Sequence, residues 1–198
     1  METPLVPALL AGLGLAASSG LNAYLPLLIL ALTDRISDSF NLPGPYDAIS
    51  SNVGIIMILF VMVVELIGDK IPPIDHYNDL IHTPIRMAAG AVAFMAVAAE
   101  SDKLNPWLAG AIGLVVAGAV SYWKLKQRPV ITAATSGIGN PIVSLVEDTG
   151  VIVLSIVAMA FPWGVIVALP LLGLWIYRTE SRMAAGESSL MHILQPKR

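Results

Sequence analysis

Charged and amide side chains are scarce in this chain, and three stretches hold those whose spacing could do chemistry. In the first, Glu65 and Asp69 stand four residues apart at the end of an apolar run, which puts both carboxylates on one helix face. Within a membrane span an ionised residue costs about 2.5–3.5 kcal/mol at the helix centre and less near an end. Such an acid either faces the protein interior or a water path, where it can take up and release a proton or cation, or reaches the interface and pairs with Lys70 or Arg86. The spacing alone supports both.

The second stretch runs from Asp69 to Arg86. After Pro72 and Pro73, Asp75 is placed to cap a short helix on which Asp75, Asp79 and His82 share a face. Two carboxylates and an imidazole can ligate a divalent cation, and the Arg86 guanidinium can grip a phosphate through two parallel hydrogen bonds. An interfacial helix with solvated charges gives the same pattern. The third stretch is Thr135-Ser136-Gly137-Ile138-Gly139-Asn140-Pro141, followed by Ser144, Glu147 and Asp148. Its two glycines near Ser136 and Asn140 suit an anion-binding nest of backbone amides. It lacks the lysine that a nucleotide-phosphate loop requires. Glu147 and Asp148 either cap a helix that starts at Gly150, where acids are favoured, or serve proton or cation coupling. With no cysteine in the chain, disulfides, thiolate metal sites and a cysteine nucleophile are excluded.

The elements that must position these groups are membrane helices. Of 198 residues, 56% are hydrophobic and 13% charged, with a mean hydropathy of +0.77, whereas a soluble domain carries about 25% charged residues. A soluble enzyme is excluded on this ground. The net charge of −3, without a basic run, speaks against nucleic acid as a partner. Six apolar segments, over 5–33, 53–68, 85–99, 107–123, 150–161 and 163–177, read as spans in a lipid bilayer. They are continuous rather than alternating, so helices are expected and a β-barrel is not. Placing both termini in the cytoplasm puts nine of eleven basic residues inside and leaves Arg35 and Lys103 outside, as the positive-inside rule favours. Trp107, Trp123, Trp163, Tyr122 and Tyr177 then fall at span ends, where amphipathic rings settle. The start Met1-Glu2-Thr3-Pro4 has no basic leader, so the first segment is expected to be retained, in a multi-pass protein of the inner (plasma) membrane.

The first segment, 29 residues long, would measure about 43 Å as one helix. A break is expected at 16–20, ahead of Asn22 and Pro26, because small residues permit unwinding and proline removes a helix hydrogen bond. The fifth segment is short unless it begins near Asn140, which would carry Glu147 and Asp148 toward membrane depth. Ala16-Ala17-Ser18-Ser19-Gly20-Leu21 is echoed by Ala133-Ala134-Thr135-Ser136-Gly137-Ile138, and each is followed by an asparagine and a proline. The expected fold is therefore all-α: one integral membrane domain over 1–198 with about six spans. It divides into halves 1–100 and 105–180, with a cytoplasmic tail over 181–198. An inverted 3+3 repeat with broken or re-entrant helices fits the echo, and a coincidence of small-residue composition fits it too. Small residues at Ala109, Gly113 and Ala117, and at Gly110 and Gly118, allow close packing within the chain or a homo-oligomer through helix 107–123.

The chain resembles a family of small bacterial integral membrane proteins known as domain of unknown function 4126. The residues that carry the resemblance are Ser19-Gly20-Leu21-Asn22-Ala23-Tyr24-Leu25-Pro26-Leu27, Glu65 with Asp69-Lys70-Ile71-Pro72, Asp75 to Thr83 with Arg86, and Thr135 to Pro141. The resemblance implies a multi-span membrane protein and supplies no catalytic residue, ligand, cofactor or substrate.

The function expected from these features is a small transporter or lipid-translocating protein for an anionic or phosphate-bearing substrate, coupled to protons or a cation. Ser19, Asn22, Arg86, Ser136 and Asn140 are the candidate substrate contacts, and Glu65, Asp69, Glu147 and Asp148 the coupling candidates. The alternatives are a scaffold or assembly subunit without catalysis, and a metal-dependent enzyme acting on a lipid phosphate through Asp75, Asp79 and His82.

Overall fold

The computed structural model describes residues 4–68, 72–135 and 139–194, with side chains left out of account at 66–68, 72–80, 128, 133–135, 140, 180 and 182–194. Eight α-helices are found among them, and no strand: α1 (Leu5–Leu21), α2 (Tyr24–Ile36), α3 (Asp47–Ser50), α4 (Asn52–Gly68), α5 (Pro72–Ser101), α6 (Pro106–Thr135), α7 (Asn140–Ala160) and α8 (Val165–Leu194), with a 3-10 turn at Pro162–Gly164 before the last. Four helical stretches are long and apolar enough to cross a membrane, Ile81–Ser101, Pro106–Thr132, Pro141–Ala160 and Pro162–Thr179, and Leu5–Leu21 and Asn52–Glu65 are shorter apolar helices. The chain is a polytopic helical membrane protein.

The first apolar segment differs from the expected single crossing. It is two helices, joined at Asn22-Ala23. A β-carbon on Gly12 would meet the Phe94 ring, and Gly90 of α5 lies against the Ala16 carbonyl, so α1 runs antiparallel to α5. Gly20 lies against Ala117 and Val120, and Lys124 reaches the Leu21 carbonyl, so α1 runs parallel to α6. The return of the chain is fixed by α2. Asn22 touches Asp148, and Ile29 to Ile36 flank Ile156 farther along α7, so α2 lies parallel to α7 and opposite in direction to α1. Leu5 and Ile36 therefore sit at the same end of the bundle, the end that holds the 102–105 connection and the turn at Pro162–Gly164. The chain's end in α8 runs to the opposite end. The expectation that both termini share one face rested on one crossing by 5–33, and that segment is a hairpin.

The expected break at 16–20 also moves. Ser18 and Ser19 stay helical, their hydroxyls donating to the carbonyls of Gly14 and Leu15 at 2.9 and 2.8 Å. The small residues there serve close packing. Helix α1 is the centre of the bundle, buried against α5, α6 and α7 along nearly its whole length. Its cluster joins Ala8, Ala11 and Leu15 to Ala93, Ala96 and Val97 of α5 and to Ala158 of α7.

Helices α5 and α6 make the tightest pair. The space a β-carbon would take at Gly113 holds the Gly90 carbonyl oxygen at 2.5 Å, and Met95 and Met87 fill in over Gly110 and Gly118. The small-residue stripe of the fourth segment thus packs inside the chain, against α5. Gly113→Leu should cost at least the ~1–3 kcal/mol of ordinary overpacking, because the obstacle is backbone that cannot turn aside. Loss of the monodisperse peak on size exclusion in detergent would register it, and a wild-type profile and melting temperature would refute this packing.

Three further expectations change. The stretch after Pro72 is no separate interfacial helix: α5 continues unbroken through Pro84 to Ser101. Helix α7 begins at Asn140, so Glu147 and Asp148 lie two turns inside it rather than capping a helix at Gly150. Trp123 is buried, edge-on to Trp175 at 4.7 Å between ring centres, while Trp107, Trp163, Tyr122 and Tyr177 keep exposed positions.

Candidate functional site at the hairpin tip

The turn between α1 and α2 is made by one side chain. The Asn22 carbonyl oxygen accepts from the backbone amides of Tyr24 and Leu25 at 3.0 and 3.1 Å, as an N-cap does for the orphan donors of a helix start. Pro26 then falls in the first turn of α2, where its missing N–H costs nothing. The Asn22 amide donates in the other direction, to Asp148 Oδ1 of α7 at 3.1 Å.

Around this tip lie buried polar groups from four other helices. On one side Arg86 of α5 donates through Nε and Nη2 to Glu65 Oε1 of α4 at 3.2 and 2.9 Å, and both side chains are fully buried. Tyr24 stands within electrostatic reach of both charges and meets the His82 ring edge-on at 6.4 Å. On the other side Lys124 of α6 donates to the Leu21 carbonyl at the end of α1 at 2.9 Å and lies 3.5 Å from Glu147 Oε2. Gln127 donates to Glu147 Oε1 at 2.6 Å, and Ser121 to the Gly20 carbonyl at 2.8 Å. Lys124 serves the helix dipole as well as the carboxylate, since α1 ends in carbonyls that no further turn satisfies.

These groups form a layer. Glu65, Arg86, Lys124 and Glu147 lie 13 to 18 residues in from the helix ends at Asn52, Ser101, Pro106 and Ala160, which at 1.5 Å per residue is about 20–27 Å. That depth falls inside a hydrocarbon core of ~30 Å, toward the end of the bundle where α6 meets α7. None of the four is more than 2% exposed. Ser144 and Ser155 of α7 are also buried, with hydroxyl oxygens that find no hydrogen-bond partner. Buried ionisable groups cost several kcal/mol each unless paired, so the pairing is what makes the layer tolerable.

Of the residues expected to act here, Asn22, Glu65, Arg86, Glu147 and Asp148 come together around the tip. Ser19 is buried one turn back along α1 and bonded to its own helix. Asp69 and Ser136 lie outside the described residues, as do the side chains of Asp75, Asp79 and Asn140. The metal reading falls largely on those positions: among the described residues no three His, Asp or Glu side chains gather as a metal site would need, and His82 packs on Tyr24. Sequence reasoning missed Tyr24, Ser121, Lys124 and Gln127. A signal existed for the last three. They are spaced three apart on one side of a helix with no glycine or proline between Trp123 and Pro129, so the helix had no reason to stop at Trp123.

The profile of a domain of unknown function, DUF4126, matches residues 9–181, which takes in the hairpin, every helix of the layer and the first half of α8. The chain belongs to the DUF4126 family. No curated protein matches the chain, and no solved structure does. In this DUF4126 protein two of the segments that carried the resemblance build the tip: Ser19 to Leu27 forms the turn, and Glu65 and Arg86 form the first pair.

Proposed function

We propose that this DUF4126 protein is a small transporter or lipid translocator of the plasma membrane that moves an anionic or phosphate-bearing substrate past the hairpin tip, driven by protonation of the buried acids. One observation carries the reading: ionisable side chains from four helices converge at membrane depth on a helix break. Charges held at such depth are costly to keep, and they mark ion and proton pathways in membrane proteins. A broken helix at the same level is how secondary transporters build binding sites, with half-helix ends offering free amides and carbonyls.

The Glu65–Arg86 pair suggests the coupling step. While Glu65 is ionised it occupies the guanidinium. Proton uptake neutralises the carboxylate, and the freed fork of Arg86 can then hold a phosphate oxygen pair in its place. Release of the anion lets Glu65 ionise and re-form the pair, so one proton accompanies each substrate. Glu147 and Asp148, beside Lys124 and Asn22, offer a second place where the same exchange can occur. Among the described residues Arg86, Lys124 and Lys126 lie toward the α6–α7 end, which this reading assigns to the cytoplasm. The Leu5 end of α1 then faces the other side.

Reconstituted protein should move either inorganic phosphate or a fluorescent phospholipid across vesicles, with a rate that follows an imposed pH gradient. Glu65→Gln should leave substrate movement at least tenfold slower and indifferent to that gradient. Folded Glu65→Gln protein with the wild-type rate and pH response would refute the proposal.

A further inference from the structure

A cavity of about 430 Å³ lies between α7 and α8, within the ~300–1,000 Å³ usual for ligand sites. Its walls are hydrocarbon: Leu21 at the hairpin, Val153 and Leu154 on α7, Leu171, Leu172 and Trp175 on α8. Val153 and Leu171 are more than half exposed, so the cavity opens on the perimeter of the bundle, where lipid lies. The lining includes Glu147 of the polar layer, 2% exposed, whose carboxylate lies 3.5 Å from Lys124.

Gly150 lines the same cavity, and it shares with Gly173 of α8 open space where a β-carbon would stand. The other glycines of α1, α5 and α6 face protein atoms that a β-carbon would strike. A β-carbon on Gly150 would meet nothing within 4 Å, although it stands mid-helix and lines the cavity. Glycine in a helix interior is less stable than alanine, and packing within the chain does not require it here. It keeps space open.

We infer that the α7–α8 cavity binds an aminophospholipid from the bilayer, with an acyl chain along the apolar walls and the head-group ammonium on the Glu147 carboxylate. The walls exclude a fully hydrated ion and accept a hydrocarbon chain, at no loss of contact with the surrounding lipid. The acid in the lining selects by charge. An ammonium can donate to that carboxylate alongside Lys124 and Gln127, a bond that a head group without a cationic donor cannot make. The inference deepens the proposed function by naming the substrate class of its site, and the route it gives is lateral, from membrane to tip, rather than from water.

Retention of lipid by the purified protein tests it without any transport measurement. Protein in mixed nanodiscs of phosphatidylethanolamine and phosphatidylglycerol with identical chains is released in the gas phase, and bound lipid is read by native mass spectrometry. Wild type should keep the ethanolamine lipid about tenfold over the glycerol lipid, the factor expected of one charge-assisted hydrogen bond. Gly150→Phe starts from a β-carbon position with nothing within 4 Å and carries its ring into the cavity, so it should fold, with retention of both lipids falling to background. Glu147→Gln should keep the chain and lose the preference. Equal retention of the two lipids by wild type overturns the inference, and so does unchanged retention by folded Gly150→Phe. Proton-coupled phosphate flux that depends on Glu65, with no lipid retained, leaves the transport reading standing and removes this one. Selective retention without any coupled flux does the reverse.

Discussion

Arg86→Leu should cost this protein about 3–5 kcal/mol, because it strands the Glu65 carboxylate in a fully buried position. Membrane helices give no relief. A lone acid at that depth must protonate, snorkel or draw in water, and Glu65 sits on a helix whose other face meets lipid through Ile56, Phe60 and Val63. The loss is a fifth or more of the ~5–15 kcal/mol that holds a typical fold together. The expected result is early unfolding in detergent, followed by thermal melting or SDS titration, with α4 the first helix to detach. Glu65→Leu in the same chain should recover most of the stability, since well-packed apolar pairs replace buried ion pairs at little or no cost. The double variant should be folded and inactive in transport. If Arg86→Leu alone melts as wild type does, the pair is not what holds α4 to α5.

Lys124→Met has the second largest expected effect, again about 3–5 kcal/mol, and for a different reason. Lys124 holds two partners at once, the Glu147 carboxylate and the carbonyl that ends α1. Removing it leaves a buried acid and reopens the end of the central helix. Glu147→Met alongside it should restore only part of the loss, because the Leu21 carbonyl still lacks its donor. Arg in place of Lys should fail as well, its planar fork being too wide for a site shaped around one ammonium. Full rescue by Glu147→Met would show that the link to α1 contributes nothing.

Much of this was legible in the residues. Scarcity of charge and the unbroken apolar runs gave membrane helices, and the asparagine-to-proline spacing marked Asn22. The pairing of Glu65 with Arg86 was one of two readings of a carboxylate near a span end. The hairpin was not read because 29 apolar residues look the same whether they cross once or turn back, and hydropathy carries no direction. The cue was chemical rather than hydropathic. An asparagine two residues before Tyr24 with Pro26 in the next turn is a helix start, and it was taken for a kink. The depth of Glu147 and Asp148 was misjudged for a related reason. Asn140, Ser144, Glu147 and Asp148 lower the apparent hydrophobicity of the first turns of α7, so those turns do not read as a span. Lys124 was counted with the residues that set orientation, although it is buried by α1, whose approach no local pattern announces.

The central place of α1 bears on how the protein is made. Helix α1 is synthesised before α5, α6 and α7, which enclose it, and its cap reaches a partner 126 residues later in the chain. Neither half of the sequence can close a core by itself, since both press on the same early helix. Until α7 is synthesised, the hairpin must wait in the insertion machinery or the bilayer with its amide and carbonyl ends unanswered. Nascent chains released before residue 148 should therefore be the ones that membrane quality control removes.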